Sequence, residues 1–491
     1  MPLLEWRARA SVGYAGMRHA KIVCTIGPAS ESPELLDRLI QSGMNAARLN
    51  FSHGSHESHA RAIGAIRKAA ERHDTPVAII QDLQGPRIRV GNLPWEGIAV
   101  TPDQIVRLVV GPTSGKSGAP ALDIPVTYPH LAEDVKPGAR ILIDDGLIEL
   151  TVQQITPQTV ECRVNVGGTI GSHKGMNLPG TAISAATLTE KDREDLRFGL
   201  KHQVDYVALS FVRGPDDIIE ARQLMAEYGG EAPIIAKIER REAVDHLESL
   251  LDQVHGIMIA RGDLGVEMGP EAVPVLQKRM ITEANRRRKL VITATQMLES
   301  MTHNPRPTRA EASDVANAVF DGTDAVMLSA ETAVGRYPDE TVRVMDRIVR
   351  AAEEGKEPGM IRRAEPGHGP ASFPEAICAS ASSAASSTGA SALVAFSQSG
   401  MTVHLMSKQR PTTPIIAFTP VEQVRQRMAL CWGVLPYTMP LIEQTDARIS
   451  AVERRLKAEG LAKTGDRIVI VSGALVGLRG GTNLMKLHEV G

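Results

Sequence analysis

Aromatic residues make up only 3% of this chain of 491 residues, so its cores must be built from Ala, Val, Ile, Leu and Met. Neither sign of charge is in excess: 55 Lys and Arg against 57 Asp and Glu leave −2. That balance offers no electrostatic footprint for nucleic acid or an anionic membrane surface. Any phosphate bound here must be held by a local site. Cysteine is scarce, with four residues (Cys24, Cys162, Cys378 and Cys431) and no CxxC pair. This argues against a redox or metal motif and for buried free thiols in a reducing cytosol. No stretch approaches the about 18 uninterrupted apolar residues of a membrane span.

What is present is ordinary globular composition, 43% apolar and 23% charged, on a chain too long for a single core. Residues 1–17 read as a tail ahead of the fold, without the apolar core of a targeting peptide. Beyond them, short β-branched runs alternate with helical patterns, which predicts parallel α/β architecture. Eight runs can be counted: Lys21–Ile26, Ala46–Ser52, Val77–Leu83, Tyr206–Val212, Ile234–Glu239, Gly256–Gly262, Leu290–Gln296 and Ala325–Glu331. Their bodies are apolar, and polar residues gather at their ends: Arg48, Asn50, Ser52, Asp82, Ser210, Lys237, Glu239, Asp263, Thr295, Ser329 and Glu331. A (β/α)8 barrel places its active site at that face, so one pocket would collect them.

About 120 residues separate the third and fourth runs, far more than a βα connection needs. Short strands with turn residues fill that interval. The expectation is a small β-barrel lid domain at 86–180, inserted between barrel segments 18–85 and 181–356 and hanging over the pocket. A polar stretch at 357–371 reads as a linker. Further alternation from 372 to 491 predicts a separate C-terminal α/β domain.

Lys237-Ile238-Glu239 puts an ammonium and a carboxylate on one side of a strand. Arg261-Gly262-Asp263-Leu264-Gly265 reads as a glycine-flanked turn carrying a second carboxylate. Together Glu239 and Asp263 suit a hard divalent cation. A lysine beside them suits a phosphoryl group in transfer, a reaction that needs mainly positioning and charge neutralisation. Arg48 offers a rigid fork for phosphate oxygens. Gly85-Pro86 reads as a hinge, with Arg87 and Arg89 beyond it, and His53 reads as a polar contact rather than a catalytic group.

These segments resemble the signature stretches of the pyruvate kinase family: KIVCTIGPAS from Lys21, NAARLNFSHG, KIE, ARGDLGVE, TATQMLESM, RPTRAE from Arg306 and SAETAVGRYP from Ser329. The resemblance implies a cytoplasmic glycolytic enzyme that moves a phosphoryl group from phosphoenolpyruvate to ADP, assembled as a homotetramer. It implies Mg²⁺ or Mn²⁺ on Glu239 and Asp263, with Lys237 and Arg48 stabilising the phosphoryl group. Gly262, Asp263 and Thr295 would contact the substrate. Asn50, Phe51, Ser52, His53, Arg89 and the lid residue Lys174 would meet the nucleotide.

One departure stands out. Many family members carry D-T-K-G-P-E-I-R where this chain has Asp82-Leu83-Gln84-Gly85-Pro86-Arg87-Ile88-Arg89. The threonine that helps bind K⁺ is replaced by Leu83, and Arg87 brings a fixed cation to a site otherwise formed by Asn50, Ser52 and Asp82. The reading is an enzyme that needs no K⁺. In the last domain, Ser397, Ser399, Gly400 and Thr402 form a candidate cradle for a phosphorylated effector, with Arg479 opposite, although a plain helix cap explains the same residues. Another phosphoenolpyruvate-using barrel enzyme, or an inactive metabolite-binding paralogue, stands as the alternative.

Overall fold

The computed structural model describes residues 17–110, 122–355, 370–473 and 481–491. Residues 1–16 of the tail expected at 1–17, most of the expected linker and Arg479 lie outside the described residues. All eight expected barrel strands form: β1 (Lys21–Thr25), β2 (Ala46–Asn50), β3 (Ala78–Asp82), β12 (Tyr206–Leu209), β13 (Ile234–Ile238), β14 (Gly256–Ala260), β15 (Leu290–Ala294) and β16 (Ala325–Leu328). They pair in parallel and close in chain order, β1 onto β16. The connecting helices begin and end where local chemistry directs. In Pro33–Ser42, the Ser32 side chain accepts from the Leu35 N–H, proline opens the first turn, and Gly43 closes it at φ 115°.

The strands are shorter than the apolar-to-polar runs suggest. Ser52, Glu239, Asp263 and Thr295 stand beyond the last paired residue of their strands. The expected turn around Asp263 is the first turn of a helix, Arg261–Met268. The backbone turns directly from β14 into that helix, which places the carboxylate at the positive end of the helix dipole.

The insertion folds on its own core of Val106, Leu108, Ile141, Leu150, Cys162 and Val164. Its strands are β4 (Ile98–Val100), β5 (Ile105–Val110), β6 (Leu122–Val126), β7 (Arg140–Ile143), β8 (Ile148–Thr156), β9 (Thr159–Val166), β10 (Gly168–Ile170) and β11 (Met176–Asn177). Six of them form one curled sheet with β11 and β6 at its edges. The segment after the hinge joins those edges, because Arg89 bridges Gly175 and Val90 bridges Val126. The hinge glycine, Gly85, has φ 70°, and a Cβ there would lie 2.9 Å from the Phe211 ring. Only glycine fits.

The C-terminal domain is a five-stranded sheet, ordered β19 (Val434–Thr438), β18 (Ile415–Thr419), β17 (Ala392–Phe396), β20 (Arg467–Gly473) and β21 (Thr482–Glu489). Its three central strands, β17, β18 and β20, are the most continuously apolar of the five. The domain is fastened to the barrel floor. Lys21 Nζ donates to Val434 O at 2.8 Å, and Tyr206 Oη donates to Arg427 O at 3.0 Å. Buried Asp324 pairs with both Lys408 and Arg410. Leu430 enters the barrel interior, packed in one cluster with Ile80, Ala208, Met258 and Ile292. All four cysteines are free and buried.

Candidate active site

Lys237 stands in the body of β13 and Glu239 one residue past its end, on the same side. Lys237 Nζ lies 2.9 Å from Glu239 Oε1 and 3.2 Å from Asp82 Oδ1, the last residue of β3. It also donates to Ser210 Oγ at 2.7 Å. From β2, Arg48 Nε reaches Asp82 Oδ2 at 2.6 Å while Nη1 donates to Thr25 Oγ1 at 3.1 Å. Three strands, β2, β3 and β13, therefore deliver one buried charge cluster to the barrel mouth.

Burial alone would strip these groups of charge. It pushes the Asp82 carboxyl up, but Lys237 and Arg48 outweigh it and hold the pKa below its ordinary value. It pulls Lys237 down, and Asp82 and Glu239 more than compensate, so the ammonium stays charged. Glu239 is raised, first by burial and further by the charge of Asp263, against the opposing pull of Lys237. Glu239, Asp263, Lys237, Arg48, Ser210 and Thr295 line one cavity. Among the described residues the Asp263 carboxylate has no hydrogen bond or ion pair. Two carboxylates close enough for the charge of Asp263 to raise Glu239, one of them unpartnered, fit a hard divalent cation. No group of three or more His, Cys, Asp or Glu fit to hold a metal exists among the described residues, so a cation here would complete its shell from substrate and water.

Opposite the carboxylates, Thr295 Oγ1 accepts the Gly262 N–H at 2.8 Å and donates to Ala294 O at 2.7 Å. Thr295 and Gln296 are both left-handed, at φ 65° and 54°, and Phe211 is left-handed at φ 56°. Strained residues concentrated at one mouth mark a site whose geometry is imposed by its surroundings. The Phe211 N–H donates to Glu239 Oε2 at 2.8 Å, fixing the second oxygen of that carboxylate. Neither Phe211 nor Arg261, which braces Thr295, stood out in the sequence. An arginine directly ahead of Gly-Asp was the available signal for Arg261; Phe211 had none.

The residues expected at the nucleotide divide. Asn50, Ser52 and Arg87 line the cavity with Lys237. The His53 pKa is lowered by burial and by the nearby charges of Arg89, Arg87 and Arg48, which places three guanidinium groups around it. Phe51 is different: its ring is buried and stacked on His59, 3.9 Å between centroids, its N–H donates to Asp82 O at 2.9 Å, and its carbonyl accepts from Lys191 Nζ at 2.7 Å. Lys174 pairs with Asp144 within the lid at 2.9 Å, and Arg89 Nη1 donates to His173 O at 3.0 Å. In the C-terminal domain, Ser397 Oγ accepts the Gly400 N–H, Ser399 Oγ accepts the Met401 N–H, and Thr402 shares a hydrogen bond with Thr482. These hydroxyls serve the loop's own backbone and its neighbour.

A closed parallel barrel, an inserted lid and a buried ammonium set among carboxylates define a barrel phosphotransferase. The comparisons agree and narrow it. The family model described as pyruvate kinase, barrel domain, matches residues 17–342, and the pyruvate kinase alpha/beta domain model matches 375–488. Pyruvate kinases of Staphylococcus aureus strains MRSA252 and USA300 are each 45% identical over 97% of this chain and 81% of their own length. A crystal structure of a pyruvate kinase from Cryptosporidium parvum superposes with a TM-score of 0.88 at 38% identity, covering 96% of both chains. The chain belongs to the pyruvate kinase family. No helix among the described residues is long and apolar enough to cross a membrane.

Proposed function

We propose that Lys237, Glu239 and Asp263 form the reaction centre at which this phosphotransferase moves the phosphoryl group of phosphoenolpyruvate to ADP. The observation that carries this reading is their convergence on one cavity at the barrel mouth. The ammonium of Lys237, held charged by Asp82 and Glu239, faces the phosphoryl group as its bond to the enolate oxygen breaks and a bond to the terminal ADP phosphate forms. Arg48 supports the same charge. Thr295 and a backbone N–H at the start of the helix Arg261–Met268 grip the substrate carboxylate, and the released enolate takes up a proton to become pyruvate. A divalent cation, Mg²⁺ or Mn²⁺, held by Glu239 and Asp263 supplies further neutralisation of phosphoryl charge when bound. Asn50, Ser52, His53 and Arg89 hold the nucleotide phosphates, with the Phe51 backbone beside them and Lys174 reaching in from the lid.

The reading extends to K⁺ independence. Leu83 is a core residue here, Asp82 is committed to Arg48 and Lys237, and the Arg87 guanidinium has no hydrogen bond or ion pair among the described residues. A free guanidinium beside Asn50 and Ser52 supplies the positive charge that a monovalent cation otherwise brings. Regulation by a phosphorylated metabolite at the loop containing Ser397, Ser399, Gly400 and Thr402, assembly as a homotetramer, and a cytoplasmic location belong to the same proposal.

The deciding experiment is a coupled assay for pyruvate formed from phosphoenolpyruvate and ADP, with Mg²⁺, with Mn²⁺ and with chelator. Turnover that needs the divalent ion and survives without K⁺ is expected. Absence of pyruvate under every condition sinks the reading. Analytical ultracentrifugation checks the tetramer, and a screen of sugar phosphates against activity at low phosphoenolpyruvate checks the effector.

A further inference from the structure

We propose that Arg261 is the positioning residue that sets the grip on the substrate carboxylate, an inference that rests on the phosphoenolpyruvate reading above. Arg261 opens the helix Arg261–Met268 at the end of β14, yet its side chain serves the neighbouring strand, β15. Nη2 donates to Thr295 O at 2.7 Å and to Gln296 O at 3.3 Å, and Nε donates to Ala294 O and Thr295 O, each at 3.3 Å. One guanidinium thus collects three consecutive carbonyls.

Those carbonyls belong to the turn in which Thr295 and Gln296, both with full side chains, are left-handed. Residues other than glycine hold that conformation only when their surroundings over-determine it. A guanidinium with rigid, coplanar donors can do so, and a flexible ammonium cannot span the same three acceptors. The far edge of Arg261 is anchored in turn: Nη1 lies 2.7 Å from Asp314 Oδ2 on the helix Arg309–Asp321, and Gln277 Oε1 accepts from it at 3.4 Å.

The clamp is reciprocal. The Arg261 side chain fixes the backbone of Thr295, and the Thr295 side chain fixes the backbone of Gly262 through the 2.8 Å bond to its N–H. Both halves of the carboxylate grip, and the Gly262-Asp263 peptide that carries a proposed metal ligand, therefore depend on one arginine that is itself only 7% exposed. Arg261 acts through Thr295 and Gly262, and the carboxylate half of the substrate is where its loss must register.

The test is steady-state kinetics with each substrate varied separately. Arg261→Lys is expected to raise KM for phosphoenolpyruvate by roughly tenfold to a hundredfold, with KM for ADP within about twofold of wild type. Asp314→Asn, which loosens the anchor from a half-exposed position, is expected to move the same constant in the same direction by a smaller factor. If Arg261→Lys loses its folded circular dichroism spectrum, Asp314→Asn carries the test. An unchanged KM for phosphoenolpyruvate in the folded variants, or an equal rise in both KM values, overturns the proposal. Wild-type chain that makes no pyruvate condemns the functional reading instead, so the two failures are distinguishable.

Discussion

Lys237 and Glu239 bond directly, Nζ to Oε1 at 2.9 Å, while the same ammonium also lies 3.2 Å from Asp82. A cation placed between two carboxylates is held charged, and in a buried cavity it acts on a phosphoryl oxygen with little screening. Replacing Lys237 by Met removes that charge and leaves Asp82 and Glu239 facing each other. The expected result is a fall in kcat of at least about 10²–10³, the cost of losing one pre-organised charge-stabilising group. KM for ADP should move far less. The coupled assay on folded variant measures both.

Arg87 supplies the second prediction. Its guanidinium lines the cavity with Asn50 and Ser52, and Leu83 leaves no hydroxyl for a monovalent ion. Wild-type activity should be the same in Na⁺, K⁺ and tetramethylammonium buffers of equal ionic strength. Arg87→Glu reverses the local charge, so that variant should be nearly inactive without K⁺ and recover in part with it. Activity of the wild type that collapses in K⁺-free buffer refutes the assignment.

The third prediction concerns the barrel floor. Leu430 comes from the C-terminal domain, is fully buried, and completes the apolar cluster inside the barrel. Lys21, Tyr206 and Asp324 are bonded to the same domain around it. Leu430→Ala leaves a cavity between two domains, at an expected cost of about 2–5 kcal/mol. Because the cluster belongs to both, barrel and C-terminal domain should unfold in one shared transition at a lower urea midpoint. Tyr206 fluorescence and far-ultraviolet circular dichroism that report separate transitions would contradict this.

The barrel was legible because its signal is redundant. Eight aliphatic runs alternate with helices whose starts carry Ser32-Pro33, Thr189 or Thr308 as caps, the first and last of these helices ending at Gly43 and Gly322. Strand ends were less legible. The two glycines of Arg261-Gly262-Asp263-Leu264-Gly265 suggested a turn, but packing of Leu264 into the core pulls the segment into a helix. β4 and β10 are three residues each and carry no periodicity, while β21 alternates polar and apolar residues too irregularly to stand out. At the site, Lys237, Glu239 and Asp263 could be read because strand alternation and barrel polarity fix where such residues point. The bracing of Thr295 by Arg261 could not, since it joins residues 34 apart through a left-handed turn that no pattern announces. For the same reason Phe51 was grouped with its polar neighbours, although strand geometry turns its ring inward onto His59.

Acid should unfold this protein partly through two buried imidazoles. His404 donates from Nε2 to Arg288 O at 2.5 Å, and His255 accepts the Ile234 N–H on Nδ1 at 3.1 Å, a role open only to a neutral ring. Burial, then the charge of Lys408, pushes the His404 pKa down to about 4. Burial, then Lys289 and Arg222, pushes His255 to about 4 as well. The unfolded chain takes up these protons near the ordinary value of about 6.5, whereas the folded chain resists until about 4. Between those limits the unfolded state binds more protons, so stability is full above the upper limit and falls as pH falls through the window. From pH 6.5 to 5 the loss should be about 2 kcal/mol per imidazole. Urea midpoints at pH 7.5, 6.5, 5.5 and 5.0 measure it, with carboxylates contributing a common background. His404→Gln keeps a donor for Arg288 O but cannot titrate, so its stability should decline less steeply than that of the wild type. Parallel curves for the two proteins would mean that His404 titrates normally in the folded state.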